Sequence, residues 1–331
     1  MEDISATNPC GEQPLPPYGA CLLGSFNLTK YVYRTEEGFA FNWSLLQHDV
    51  PYVVRAMDNV IDETIYPLPQ QEAEAKSKRR MGLGVTGLGN ALGALGFRYG
   101  SKEATNFTEK VLEHLANWCY SASATIAAEK GPFPAYDEEK YLKSKFVENL
   151  DYEVQLKIKK FGIRNSHLTS IAPTGTISLT ANNISSGLEP VFSLSYTRTI
   201  QTADGPMYEK VEDYAFREWG VECITASQIS VQDHVNMLTA AQKWVDSACS
   251  KTCNVGADVT WEEFKNVYMQ AWQGGAKGCT TFRASGKRGG ILNSSASEDV
   301  IESKEENDET VVEGGACYID PETGMRSCDS I

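Results

Sequence analysis

NPCGEQPLPPYGACLLGSFNL, residues 8–28, holds one cysteine between an asparagine and a glutamate, sets Pro9, Pro14, Pro16 and Pro17 about it, and then delivers a second cysteine, Cys21. Pro9 has no main-chain N–H and Gly11 tolerates unusual φ, so residues 8–12 read as an extended or looped segment, not as helix. Along an extended run, side chains at i, i+2 and i+4 share one side, which would align Asn8, Cys10 and Glu12. An amide that holds hydroxyls, a thiol that makes and breaks bonds and a carboxylate that takes a proton suit chemistry at a hydroxylated carbon. The same pattern also occurs in a turn whose cysteine is merely buried, since cysteine is among the most buried residue types.

Outward from this stretch, the chain narrows the classes open to it. With 331 residues and 41% hydrophobic composition it has room for one large domain or two, with a sizeable core. No run approaches the ~18 to 20 apolar residues of a membrane span, and the N-terminus lacks the basic-then-apolar order of a signal peptide. A cytoplasmic protein without a membrane partner is expected. Nine cysteines without an export signal read as reduced thiols, some of them redox-active. The formal charge of −14 argues against a nucleic-acid partner, because a duplex needs a basic face, but leaves a nucleotide in a local pocket open.

Coarse periodicity gives an α/β order. VPYVVRAMDNVIDETIYPLP has helical apolar spacing up to a stop at Pro67 and Pro69. Ser101 caps a long helix carrying Phe107, Val111, Leu115, Trp118 and Ala122 on one side and ended by Gly131 and Pro132. A charged helix is expected over 137–150, strand-like runs with turns over 166–198, and a helix over 231–249. Thr260 and Glu263 form a capping box for a helix stopping at Gly274 and Gly275, and KGCTTFRA, from Lys277, reads as a buried strand. The alternation favours α/β. From about Ser294 the composition turns acidic and poor in large apolar residues, so 294–315 reads as a disordered linker, followed by a short tail, 316–331, with Cys317 and Cys328.

Two glycine-containing motifs compete for a phosphate. APTGTIS (Ala172, Pro173, Thr174, Gly175, Thr176, Ile177 and Ser178) offers small residues whose N–H and hydroxyl groups can surround phosphate oxygens; the alternative is a plain turn between strands. GLGVTG, residues 82–87, satisfies G-x-G-x-x-G, but the charged EAEAKSKRR precedes it where a dinucleotide fold needs an apolar strand. Close packing of a strand and a helix accounts for its glycines better.

NPCGEQPLPPYGACLLGSFNL, with NVIDETIYPLP, RRMGLGVTGLGNAL, SIAPTGTISLTANNISSGLEP and DSACSKTCN, is similar to the ribonucleotide reductases over nearly the whole chain up to the linker, and most resembles their adenosylcobalamin-dependent (class II) branch. The resemblance implies that Cys10 becomes a thiyl radical that removes the 3′ hydrogen of the ribose. It makes Glu12 the base for the 3′-hydroxyl proton, Asn8 the amide orienting the substrate hydroxyls, and Cys21 one of two thiols that end as a disulfide. It implies a radical thiol buried away from water, and makes 172–178 the substrate phosphate loop at a helix head. The paired tyrosines that relay a radical from a separate metal subunit in class I are replaced by Thr280 and Thr281, and no glycyl-radical signature appears, which leaves adenosylcobalamin as the radical source. No cobalt-ligand motif can be read.

The resemblance also implies architecture and partners. Family barrels have ten strands in two halves joined by a cysteine-bearing finger loop, and this chain matches the second half plus that loop, residues 1–293. The effector region and the thiol partner of Cys21 belong upstream, so an N-terminal half on another polypeptide is expected, beside the ribonucleotide substrate; the runner-up is that this chain is a fragment of a longer one. Tail cysteine pairs in the family pass electrons from thioredoxin or glutaredoxin to the active-site disulfide, the role expected of Cys317 and Cys328, although ten residues between them is wider spacing than such tails show. A linker of ~20 residues spans ~25 Å, enough to reach a cleft. Cys119, Cys223, Cys249, Cys253 and Cys279 read as buried structural residues, with Cys249 and Cys253 able to share a helix face. His48, His114, His167 and His234 read as surface or core residues without ligand roles. Two other readings remain: a non-catalytic module that kept the fold, and a fragment of a class I reductase.

Overall fold

The computed structural model describes residues 2–202, 205–256, 259–283, 292–294, 318–319 and 326–327. Its first compact unit, Met1–Leu194 with Asp213–Ala284, is built on parallel pairing. Leu22–Asn27 lies parallel to Met81–Thr86, Leu22 opposite Met81 and Asn27 opposite Thr86. Leu83 bridges in parallel to Thr169, and Ile171 to Cys249. Thr252–Val255 then lies parallel to Thr280–Arg283. Five extended segments therefore follow in one parallel order, each reached from the last through helical chain, as parallel neighbours require. The expected mixed α/β fold is present; the array does not close into a barrel.

The Met81–Thr86 strand is buried at every position, the signature of a parallel strand covered on both faces. Its glycines are there for closeness: a Cβ on Gly84 would stand 2.3 Å from the Ser170 carbonyl oxygen, and one on Gly82 would stand 2.7 Å from Gln13 Nε2. That is the packing role read for the G-x-G-x-x-G motif.

Helices cover the array for local reasons. Asn42 caps Trp43–Glu63 through the Leu45 N–H, and Ser101 caps Lys102–Lys130 through the Ala104 N–H, with Gly131 at φ +83 ending it. The second helix buries Phe107, Val111, Leu115, Cys119 and Ala122 and packs against Trp43–Glu63, Tyr152–Phe161 and Val231–Gln242. Thr260 and Glu263 cap Trp261–Gln273 reciprocally. Among the described residues no helix is long and apolar enough to cross a membrane.

Several expectations are corrected. Pro69 does not stop structure but opens the helix Pro69–Lys78, because proline's missing N–H costs nothing at a first helical position. Residues 137–150 hold two short helices, Glu138–Leu142 and Lys145–Glu148, before the separate Tyr152–Phe161. The helix from Val231 ends at Gln242: the Asp246 carboxylate accepts from the Leu168 and Thr169 N–H groups at 2.6 and 3.1 Å and draws the following chain into the array. Cys249 and Cys253 therefore lie on a bridge and a strand, not on a helix face. Thr280–Arg283 is mostly exposed instead of buried, as an edge member of the array.

A buried ion cluster ties the helices to the array. Asp58, fully buried, contacts the Arg79 guanidinium at 2.8 Å and the Arg164 Nε at 3.3 Å. Asn165 adds an amide donor to Asp58 at 3.1 Å, so the carboxylate's acceptor sites are filled.

The second unit, Ser195–Glu212 with Ser285–Ile331, contains the antiparallel hairpin of Ser195–Thr202 and Gly205–Glu212, with Leu292–Ser294 along its first strand. Tyr318–Ile319 pairs antiparallel with Arg326–Ser327. The linker expected over 294–315 falls, beyond Ser294, on residues outside those described, and so do Cys317 and Cys328.

Candidate active site

Residues 8–11 form a tight turn at the tip of a small hairpin. Ala6–Thr7 pairs antiparallel with Pro14–Leu15, and the Gly11 N–H donates to the Asn8 carbonyl at 3.1 Å. Proline in the second turn position and glycine in the fourth are common turn chemistry; Gly11 stands at φ +78 with open space where a Cβ would be, so it serves its backbone angle. The Asn8 Oδ1 accepts from the Gln13 N–H at 3.1 Å. This corrects the extended alternation: Cys10 is exposed while Glu12 is only 2% exposed, so the three side chains do not line one face of a strand. The burial expected for the radical thiol is likewise not found in this chain.

The hairpin is fixed to the array beneath it. The Glu12 carbonyl accepts from the Ala248 N–H at 2.9 Å and from Ser170 Oγ at 3.0 Å. The Glu12 side chain is buried with its Oε2 lacking a hydrogen-bond partner in the structure, an arrangement that costs stability unless a ligand or water completes it.

Glu12 acts electrostatically on both cysteines. Burial, then the Glu12 charge, raises the Cys10 thiol above its ordinary range. Burial pushes Cys21 up to about 12, with Asp246 and Glu12 adding to the rise and Arg80 opposing it. Both residues are free thiols and hold their protons at neutral pH. A thiolate is the better nucleophile; a thiol is the form that carries an S–H hydrogen.

Residues 172–178 bend into a helix head. Thr174 adopts φ +57 as the cap of the short helix Gly175–Thr180, which has no side-chain cap. Gly175, Thr176 and Ile177 are exposed on its first turn, where helical N–H groups lack internal partners. Two of the three hydroxyls in the loop are used inward, while Thr176 is exposed: Thr174 Oγ1 accepts from the Gly187 N–H at 2.8 Å and meets Thr86 Oγ1 at 2.9 Å, and Ser178 Oγ meets Ser186 Oγ at 2.9 Å. Ala172 is buried and Pro173 half-buried, shaping the bend.

Sequence reasoning missed several residues that build this region. Gln13 is fully buried beside Glu12 with neither amide atom partnered; a glutamine at a loop entry gives no sequence signal of burial. Ser170 and Asp246 fix the floor of the turn, and only their neighbourhood to the strand-like SIAP and to DSAC hinted at it. Cys119, Cys223, Cys249 and Cys253 are buried as expected, whereas Cys279 is only partly so.

The profile of the ribonucleotide reductase barrel domain matches residues 1–221 and 222–282. The chain belongs to the ribonucleotide reductase family. It is 33% identical to a vitamin B12-dependent ribonucleoside-diphosphate reductase of Mycobacterium tuberculosis (strain CDC 1551 / Oshkosh), over 90% of this chain and 44% of that protein. It is 32% identical to a protein of the same name from Thermoplasma acidophilum, over 99% of this chain and 44% of that one. A ribonucleoside-diphosphate reductase subunit alpha of Chlamydia pneumoniae is 27% identical over 78% of this chain and 29% of its own length. The chain spans less than half the length of these relatives.

Proposed function

We propose that this chain is the catalytic half-barrel of an adenosylcobalamin-dependent ribonucleotide reductase, carrying the radical cysteine and the phosphate loop for reduction of ribonucleotides to 2′-deoxyribonucleotides. The observation that carries the reading is the buried Glu12 carboxylate, incompletely hydrogen-bonded and acting on two protonated thiols, Cys10 and Cys21, from a turn anchored to the parallel array.

In this reading Cys10, as a thiyl, takes the 3′ hydrogen of the ribose while Glu12 takes the 3′-hydroxyl proton and Asn8 orients the hydroxyls. The 2′-hydroxyl leaves as water. Cys21 and a second thiol from the N-terminal half give two electrons and two protons and become a disulfide, and Cys10 returns the hydrogen to C3′. The unpaired N–H groups of Gly175, Thr176 and Ile177 receive substrate phosphate, as a helix head can, with Thr174 and Ser178 holding the bend instead of the ligand. Adenosylcobalamin, when bound, supplies the initiating radical; the requirement it places on this chain is an accessible, protonated thiol, and exposed Cys10 fits it. Cys10 would be sealed from water by the cofactor and the N-terminal half.

The five parallel segments support a half of the ten-stranded barrel, with residues 8–28 as the finger loop. The tail pair Cys317 and Cys328 would pass electrons from thioredoxin or glutaredoxin; antiparallel pairing of Tyr318 with Ser327, their sequence neighbours, supports a joint role. A non-catalytic module is disfavoured by the joint presence of Asn8, Cys10, Glu12 and Cys21, and a class I fragment by Thr280 and Thr281.

The test is reconstitution. The chain should be inactive alone and should form deoxynucleotide when combined with the matching N-terminal half, adenosylcobalamin, a ribonucleotide and a dithiol. Turnover by the chain alone would overturn the half-barrel assignment, and inactivity of a well-formed complex the catalytic one. Replacing Cys317 and Cys328 with Ser should abolish turnover with thioredoxin and spare turnover with a small dithiol.

A further inference from the structure

Two thiols that the proposed reaction leaves unused stand nearly in contact. Cys253 Sγ and Cys279 Sγ are 3.6 Å apart. Cys253 is fully buried within the strand Thr252–Val255, and Cys279 is partly open at the entrance to Thr280–Arg283. Parallel pairing of Thr252 with Thr280 and of Cys253 with Thr281 fixes the two main chains beside each other. A disulfide needs the sulfurs at about 2.05 Å, so they must approach by roughly 1.5 Å, and Cys279, on the open side, has the room to move. Gly278, just before it, lies beside the turn of residues 8–11: a Cβ there would be 3.9 Å from the Gly11 carbonyl oxygen.

We propose that Cys253 and Cys279 form a peroxide-oxidisable dithiol that closes to a reversible disulfide next to the turn carrying Cys10. Cys279 is the attacking sulfur. It is the accessible one, and the hydrogen bond from Cys253 lowers its thiol below the ordinary range, aided by the Lys251 ammonium and opposed by burial and Glu189. The same hydrogen bond, followed by burial, keeps Cys253 protonated. In the first step the Cys279 thiolate attacks hydrogen peroxide: an S–O bond forms, the O–O bond breaks, and the departing hydroxide takes up a proton as water. Cys279 is then a sulfenic acid. In the second step the Cys253 sulfur attacks the Cys279 sulfur: S–S forms, S–O breaks, and the hydroxyl leaves with the Cys253 proton as the second water. Two thiols lose two electrons and one peroxide becomes two waters. A dithiol reverses the bond by exchange.

The test does not depend on the chain's activity. The chain is treated with one equivalent of hydrogen peroxide, alkylated with N-ethylmaleimide and digested for mass spectrometry. A peptide pair joined through Cys253 and Cys279 should exceed any other cysteine pair at least tenfold and vanish after dithiothreitol. In Cys253→Val, which keeps the buried site apolar, Cys279 should persist as a sulfenic acid trapped by dimedone, at severalfold the wild-type yield. Equal dimedone labelling in wild type and variant, or joining of Cys279 mainly to Cys10 or Cys21, would overturn the proposal; in wild type alone, absence of the Cys253–Cys279 peptide pair would do the same.

Discussion

At Cys10 and Cys21 the surroundings select the protonated sulfur: burial leads, and the Glu12 charge works in the same direction on both. Thiolate reactivity is therefore suppressed at neutral pH, and iodoacetamide labelling of exposed Cys10, read peptide by peptide, should reach half its limiting rate at a higher pH than a free cysteine peptide does; an inflection below that of the free peptide would contradict the electrostatics. In the reconstituted complex Cys10→Ala should abolish exchange of the substrate's 3′ hydrogen, whereas Cys21→Ser should permit exchange but release free base in place of product. Glu12→Gln should bind substrate and slow turnover by about 10² to 10⁴, the usual worth of a positioned base. Normal product from Cys21→Ser in a single turnover would remove it from the reductant pair. Asn8, Cys10 and Glu12 stand out in the sequence as candidates because their chemistry is carried by residue type. Their arrangement does not follow from residue type: Pro9 and Gly11 are turn residues in turn positions, and a turn abolishes the alternation of an extended run. Gln13 had no such signal to give.

Helix ends carried by caps were readable, as at Ser101, Gly131 and the Thr260–Glu263 pair, because capping is a contact between near neighbours in sequence. The end at Gln242 was not, since it is set by Asp246 reaching Leu168 and Thr169, 78 and 77 residues away. Pairing of extended segments was equally hidden, although the glycines of residues 82–87 pointed to close approach. Two glycine substitutions should separate the two uses of that residue. Gly84→Ala forces a Cβ to 2.3 Å from the Ser170 carbonyl, against main chain that cannot yield cheaply, and should lower the urea midpoint severely or prevent folding. Gly11→Ala meets no atom within 4 Å and suffers only its left-handed backbone, about 1 to 2 kcal/mol. Similar losses from both in urea titrations would show that the array is looser than described.

For the whole molecule, charge buried between elements sets the conditions of stability. Removing Asp58 as Asp58→Ala takes one of two carboxylates from Arg79, which is 4% exposed and keeps Asp62 at 2.6 Å, and should cost about 1.5 to 3 kcal/mol in urea unfolding; a loss under 1 kcal/mol would mean the cluster is dispensable. His234, fully buried, receives the Lys251 ammonium on Nδ1 at 2.9 Å. Burial, then Lys251, lowers its pKa to about 3, with Asp233 opposing. The folded state thus favours the neutral ring, so stability is complete above the ordinary value near 6.5 and declines as pH falls from there toward 3, by about 1.4 kcal/mol per unit. His167, whose pKa burial lowers to about 4, acts in the same direction, so each ring should take about 2 kcal/mol from unfolding between pH 7.5 and pH 5.0, and His234→Gln should remove about half of the fall; an unchanged slope would place the acid sensitivity elsewhere. The α/β class was legible from alternating patterns, while the ion cluster, assembled from residues 58, 79, 164 and 165, was not, because no local pattern joins them.

Among the described residues, the array's first and last strands, Leu22–Asn27 and Thr280–Arg283, are each paired on one side only. An edge of that kind offers N–H and C=O groups that every residue but proline supplies alike. A companion polypeptide seated there would be held through atoms that substitutions leave unchanged, so the two chains could diverge widely in side chains and still fit. Discrimination between rightful and foreign companions would then rest on strand length and curvature, and the grip would survive mutational drift that erases an interface made of side chains.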